Sequence, residues 1–162
     1  MRIFAFLIAF LLPVAASAQC YNAEQLEAEQ GLRIHSELMV IALNCQHLAK
    51  GEQLFQEYEQ FTRNNEGLIQ GYENTMRGFF ASEGKSGETE LNDFRTRLAN
   101  RIAGEAVRLQ PNVFCRAYSG RITQANNMPR EKFRKWAQTV FPAYPLTRTV
   151  CEGVAYRSQQ KK

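Results

Sequence analysis

The stretch NAEQLEAEQGLRIHSELMVIALNCQHLA, residues 22–49, sets the fold class. Leu26, Ile34, Leu38, Ile41, Cys45 and Leu48 recur at helical spacing and form one apolar stripe. A second apolar line, Leu32, Met39 and Leu43, lies away from it. Such a line is either an exposed contact patch or the mark of a helix surrounded by others, and central burial is the reading adopted. Lys50-Gly51 ends the helix, since glycine is the usual residue just past a helix C-terminus.

The same period continues outward. A second helix is expected over residues 52–81, with Leu54, Tyr58, Phe61, Leu68, Tyr72, Met76 and Phe79 in one stripe. The loop Ser82–Gly87 is the clearest linker. A third helix, 88–109, turns Leu91, Phe94, Leu98, Ile102 and Leu109 inward. Pro111 opens a fourth, reaching about Asn126, because a first helical turn tolerates a missing N–H. Pro129 opens a further piece over 130–141, and Pro142 and Pro145 break it. A short turn or helix over 147–156 carries Cys151. No strand alternation competes. Short connections between long amphipathic helices predict an all-α, antiparallel up-down bundle of four to five helices.

Before the helices, Met1-Arg2, the apolar run Ile3–Leu12 and Ala16-Ser17-Ala18 follow the order of a secretory signal peptide. The run is too short to span a bilayer, and no later run reaches the required length. A lipoprotein signal would need Leu three residues before Cys20 and a small residue just before it. Ser17 and Gln19 stand there instead. Cleavage is therefore expected after Ala18. A single domain, residues 19–157, and a flexible basic tail, 158–162, would remain, in the periplasm or outside the cell. The mature chain keeps 144 of the 162 residues, enough for a core without help from disulfides.

Four cysteines in an oxidising compartment read as two disulfides. Cys20 and Cys45 sit at opposite ends of the first helix, about 37 Å apart at about 1.5 Å per residue, and cannot pair. An up-down order brings Cys45 to Cys115 at one end of the bundle and Cys20 to Cys151 at the other.

Catalytic signatures are missing. The cysteines lack zinc spacing and a C-x-x-C pair. His35 and His47 are about 120° apart on one helix and are read as surface or boundary residues. No G-x-S-x-G, P-loop, G-x-G-x-x-G or H-E-x-x-H occurs. Glu105, beside the Ile102–Leu109 stripe, is the one carboxylate of interest. It either pairs with an arginine at the rim or forms part of an uncatalogued acidic site. No cofactor or metal is expected, and the reading is a non-enzymatic protein.

Two features exceed a plain bundle. Residues 19–90 hold 5 Lys/Arg against 12 Asp/Glu, and residues 91–162 hold 14 against 4. Arg97, Arg101 and Arg108 share one face within about 40°, and Arg130, Lys132, Arg134 and Lys135 crowd the last helix. The two halves either neutralise each other across the bundle or leave a basic face for an anionic envelope component or an acidic protein. Nucleic acid is not expected as a partner. Gly67, Gly71 and Gly78 align within about 40° on the second helix. Each costs about 1 kcal/mol against alanine there, so close packing against helix 1 or a second subunit, or a loosened surface helix, is implied. Homo-oligomerisation through this face is the structural alternative.

Overall fold

The computed structural model describes residues 20–141 and 144–158. The expected signal peptide and its cleavage point lie outside them. The protein is mostly helical, with α1 Ala23–Asn44, α2 Gly51–Asn64, α3 Glu66–Ser82, α4 Gly87–Leu109, α5 Pro111–Tyr118, α6 Gly120–Asn126 and α7 Arg130–Ala137. Two short strands, β1 Thr139–Val140 and β2 Arg157–Ser158, pair in parallel. No described helix is long and apolar enough to cross a membrane.

Helix α1 opens on a reciprocal cap. The Asn22 side chain accepts from the Gln25 backbone N–H, and the Gln25 side chain accepts from the Asn22 N–H, both at 2.9 Å. From Leu26 to Leu38 every residue of α1 is buried, polar and apolar alike. The helix is therefore central, with α3 and α4 packed on it and on each other, and α2 and α7 on its remaining faces. Leu32 of the second apolar line is buried, Met39 is half-buried and Leu43 is exposed. The core gathers Phe61, Phe94, Phe114 and Phe133 around Leu26, Ile34, Leu38 and Ile41. Phe133 stands edge-on to Phe61 and Tyr72.

Several expected boundaries move. The helix read over 52–81 is two helices, because the Asn65 side chain donates to the Phe61 carbonyl at 2.9 Å and competes with the backbone ladder. The fourth helix is interrupted at Ser119. The piece read over 130–141 stops at Ala137, where β-branched Thr139 and Val140 enter β1. Residues 147–156 hold no helix: a bridge joins Tyr21 to Val150, and the turn alternative is the one realised, at Glu152-Gly153 just after Cys151. Ser158, assigned to the tail, lies in β2; the rest of the tail is outside the described residues.

The disulfides join Cys20 to Cys151 and Cys45 to Cys115, the pairs that helix order implies, with Cα–Cα distances of 4.9 and 5.6 Å. Beside the first, Tyr21 and the chain around Cys151 exchange backbone hydrogen bonds: Tyr21 N–H to the Thr149 carbonyl (2.8 Å) and Cys151 N–H to the Tyr21 carbonyl (3.0 Å). The bridges thus tie both ends of α1 to the second half of the chain.

Candidate functional site

The burial of α1 forces its polar side chains to find partners inside the protein, since an unpaired buried charge is costly. Glu27 accepts from Tyr72 Oη (2.9 Å), from Arg134 Nε and Nη2 (2.8 and 3.1 Å) and from Gln138 Nε2 (2.7 Å). Burial works to raise its carboxyl, but these donors outweigh it and hold the group below the ordinary range. Glu29 accepts from the Thr147 backbone N–H at 2.8 Å and from its hydroxyl at 2.5 Å. There burial dominates and the carboxyl is pushed up.

A closed circuit of polar contacts lies further along α1. Arg33 Nη1 donates to Glu37 Oε2 at 3.2 Å, and Arg121 Nη1 donates to the other Glu37 oxygen. The Arg121 guanidinium sits 4.7 Å over the Tyr118 ring. Tyr118 donates to Glu105 at 2.7 Å, and Tyr144 donates to the other Glu105 oxygen at 2.9 Å. The Tyr144 ring in turn lies 4.9 Å beneath Arg33, which closes the circuit. Burial lowers the Arg33 guanidinium to about 10. Arg33 Nε donates to Gln30 at 2.7 Å, whereas Arg33 Nη2 and Gln30 Nε2 are buried without a hydrogen-bond partner.

Arg33, Glu37 and Arg121 also line a cavity of about 290 Å³ with Gln124, Met128, Trp136, Phe141 and Tyr144. A second, more open cleft of about 530 Å³ runs over Gly67, Leu68, Gly71 and Tyr72 between Glu24 and Arg130. A third, of about 520 Å³, lies across Arg134 beside Tyr156 and Arg157. No cluster of three potential metal ligands occurs among the described residues.

The structure divides the basic residues into two sets. Arg95 pairs with Glu73 at 2.6 Å, Arg121 with Glu37, Arg134 with Glu27 at 2.8 Å and Arg148 with Glu83 at 3.3 Å. In each pair a base from the second half meets an acid from the first. Arg134, assigned to the partner face, is thus engaged internally. Arg97, Arg101, Arg108 and Arg130 are exposed and make no ion pair among the described residues.

Other assignments change. Glu105 pairs with two tyrosines rather than with an arginine. His35 is not at the surface: it is buried, stacked on Tyr58 and within 3.2 Å of Tyr58 Oη and Thr62 Oγ1. Burial, assisted by the positive charge of Arg95, lowers its imidazole to about 4. His47 is exposed, 3.2 Å from Asn112.

Gly67, Gly71 and Gly78 face solvent, and a Cβ on any of them would meet nothing within 4 Å, so they do not serve close packing inside the chain. Gly31, Gly51 and Gly87 do, and of these Gly31 packs against an aromatic ring of another helix. A Cβ there would lie 2.2 Å from Tyr72 Cε2. Reading the sequence missed Gly31, Glu27, Arg33 and Glu37. Their signal was the second apolar line on α1: if that helix is surrounded, its charged residues need internal partners. No protein-family model, curated protein or solved structure matches the chain.

Proposed function

We propose that this is an exported, non-catalytic binding protein whose basic α4 face docks an anionic envelope component or an acidic protein. The observation that carries the reading is the exposed row Arg97, Arg101 and Arg108, which has no ion pair among the described residues while four other arginines of the same half are consumed by internal acids. A row of like charge on one rigid helix raises the local concentration of anionic partners. Export is supported by the two disulfides, which persist in oxidising compartments. The absence of a membrane-crossing helix among the described residues agrees with action as a soluble bundle.

The test is co-sedimentation of the oxidised protein, residues 19–162, with anionic and neutral vesicles at low and physiological salt. Salt-sensitive binding to anionic vesicles alone, abolished in Arg97→Glu/Arg101→Glu/Arg108→Glu, supports an envelope surface. If charge reversal alters no interaction with vesicles or with acidic proteins, the reading fails. Self-association through Gly67, Gly71 and Gly78 is a second reading, favoured by their openness at the surface. A strict monomer at high concentration would remove it.

A further inference from the structure

We propose that the cavity lined by Arg33, Glu37, Arg121, Trp136, Phe141 and Tyr144 is a binding site for a small aromatic monocarboxylate. Charge comes first. Two guanidiniums in the lining share the single carboxylate of Glu37. Within a wider radius Arg101 and Glu29 also act on Arg33, and they oppose each other. The lining itself carries one excess positive charge, its other members being uncharged; Glu105 lies outside it and is already held by the Tyr118 and Tyr144 hydroxyls. The complement of the lining is one anionic group.

Hydrogen bonding points the same way. Arg33 is 4 % exposed and its Nη2 has no acceptor. Buried donors are normally satisfied, and a carboxylate suits a guanidinium better than a neutral acceptor does. Size and walls define the remainder of the ligand. About 290 Å³ falls at the small end of ligand cavities, enough for one ring system and a carboxylate. Trp136, Phe141 and Tyr144 offer apolar aromatic surface for a flat body. This site is separate from the α4 face in its ligand: it takes a small molecule, whereas the exposed arginine row meets an extended anionic surface.

Trp136 is the chain's single tryptophan and lines the cavity, so its fluorescence reports occupancy directly. The oxidised protein is titrated with phenylacetate, with neutral phenylacetamide and with acetate, and calorimetry checks the isotherms. Phenylacetate should give a saturable change, at least about tenfold tighter than either control. Arg33 is buried and its replacement endangers the fold. Arg121, with a side chain 38 % exposed, is replaced instead: Arg121→Gln should weaken phenylacetate about tenfold. Charge reversal at Arg97 and Arg108 should leave phenylacetate binding unchanged, which separates this site from the α4 face. No saturable change up to about 10 mM phenylacetate, an equal response to the amide, or full affinity in Arg121→Gln each overturns the proposal.

Discussion

Replacing Glu27 by glutamine tests whether the buried polar side of α1 holds the fold together. The carboxylate serves donors from three side chains, Tyr72, Arg134 and Gln138, between 2.7 and 3.1 Å. Glutamine keeps the shape but offers one acceptor oxygen, and it turns an NH₂ toward donors on the other side. About two of these hydrogen bonds are lost, and bonds to a charged group are worth about 1.5–3 kcal/mol each. The Arg134 side chain is 44 % exposed and recovers part of its loss from water. The expected cost is about 2–4 kcal/mol, or about 8–15 °C in Tm for a chain of this size. Glu59→Gln provides the control. Its bridge to Arg63 is 3.8 Å long and both side chains are largely in solvent, so its loss should cost at most about 0.5 kcal/mol. Urea unfolding of the oxidised variants, followed by circular dichroism, measures both. If Glu27→Gln unfolds within about 0.5 kcal/mol of the parent, like the surface control, the buried polar row does not contribute as argued.

Two glycines on neighbouring helices should respond in opposite directions. Gly31→Ala drives a methyl into the Tyr72 ring and should lose about 1–3 kcal/mol, whereas Gly71→Ala, open to solvent in mid-helix, should gain about 0.5–1 kcal/mol in the same unfolding assay. His35 is neutral in the fold down to about pH 4, while an unfolded chain protonates it near pH 6.5. Its contribution is therefore full above pH 6.5, falls between pH 6.5 and 4, and levels off below. Relative to His35→Gln, the parent should lose up to about 3 kcal/mol on going from pH 7.5 to 4. Glu29 slopes the other way in both proteins and cancels in the comparison. A pH-independent difference would refute the neutral assignment. Replacing Cys45 and Cys115 by alanine opens a loop of 70 residues, and chain-entropy models put the cost at about 4 kcal/mol, read as a drop in the urea midpoint.

What the sequence made legible depended on local chemistry. The end of α4 follows from Pro111, and the cysteine pairs follow from which helix ends the order of elements brings together; α1 stops at Asn44, short of the expected Lys50-Gly51, and Gly51 opens α2 instead. The breaks at Asn65 and Ser119 were not legible, because an asparagine that takes a carbonyl inside a helix looks like any exposed asparagine in the string. The polar row of α1 was hidden for a different reason. Glu27, Glu37 and Arg33 have the periodicity of a solvated face, and only the helices packed around them turn it inward. Charge segregation between the halves was visible at once. Which arginines answer it internally and which remain outside was decided by packing: Arg134 reaches Glu27, while Arg97 and Arg108 on α4 face outward.

The spacing of α1's partners along the chain has a consequence for synthesis. Glu27 waits 45 residues for Tyr72 and 107 for Arg134. Glu37 waits 84 residues for Arg121, and Glu29 waits 118 for Thr147. Cys20 meets its cysteine only after 131 more residues. The first of the described helices is thus completed last: a nascent chain that stops before Arg134 leaves Glu27 without its base and Glu29 without Thr147. A ribosome-stalled chain ending before Arg134 should therefore stay sensitive to protease where the released protein resists it.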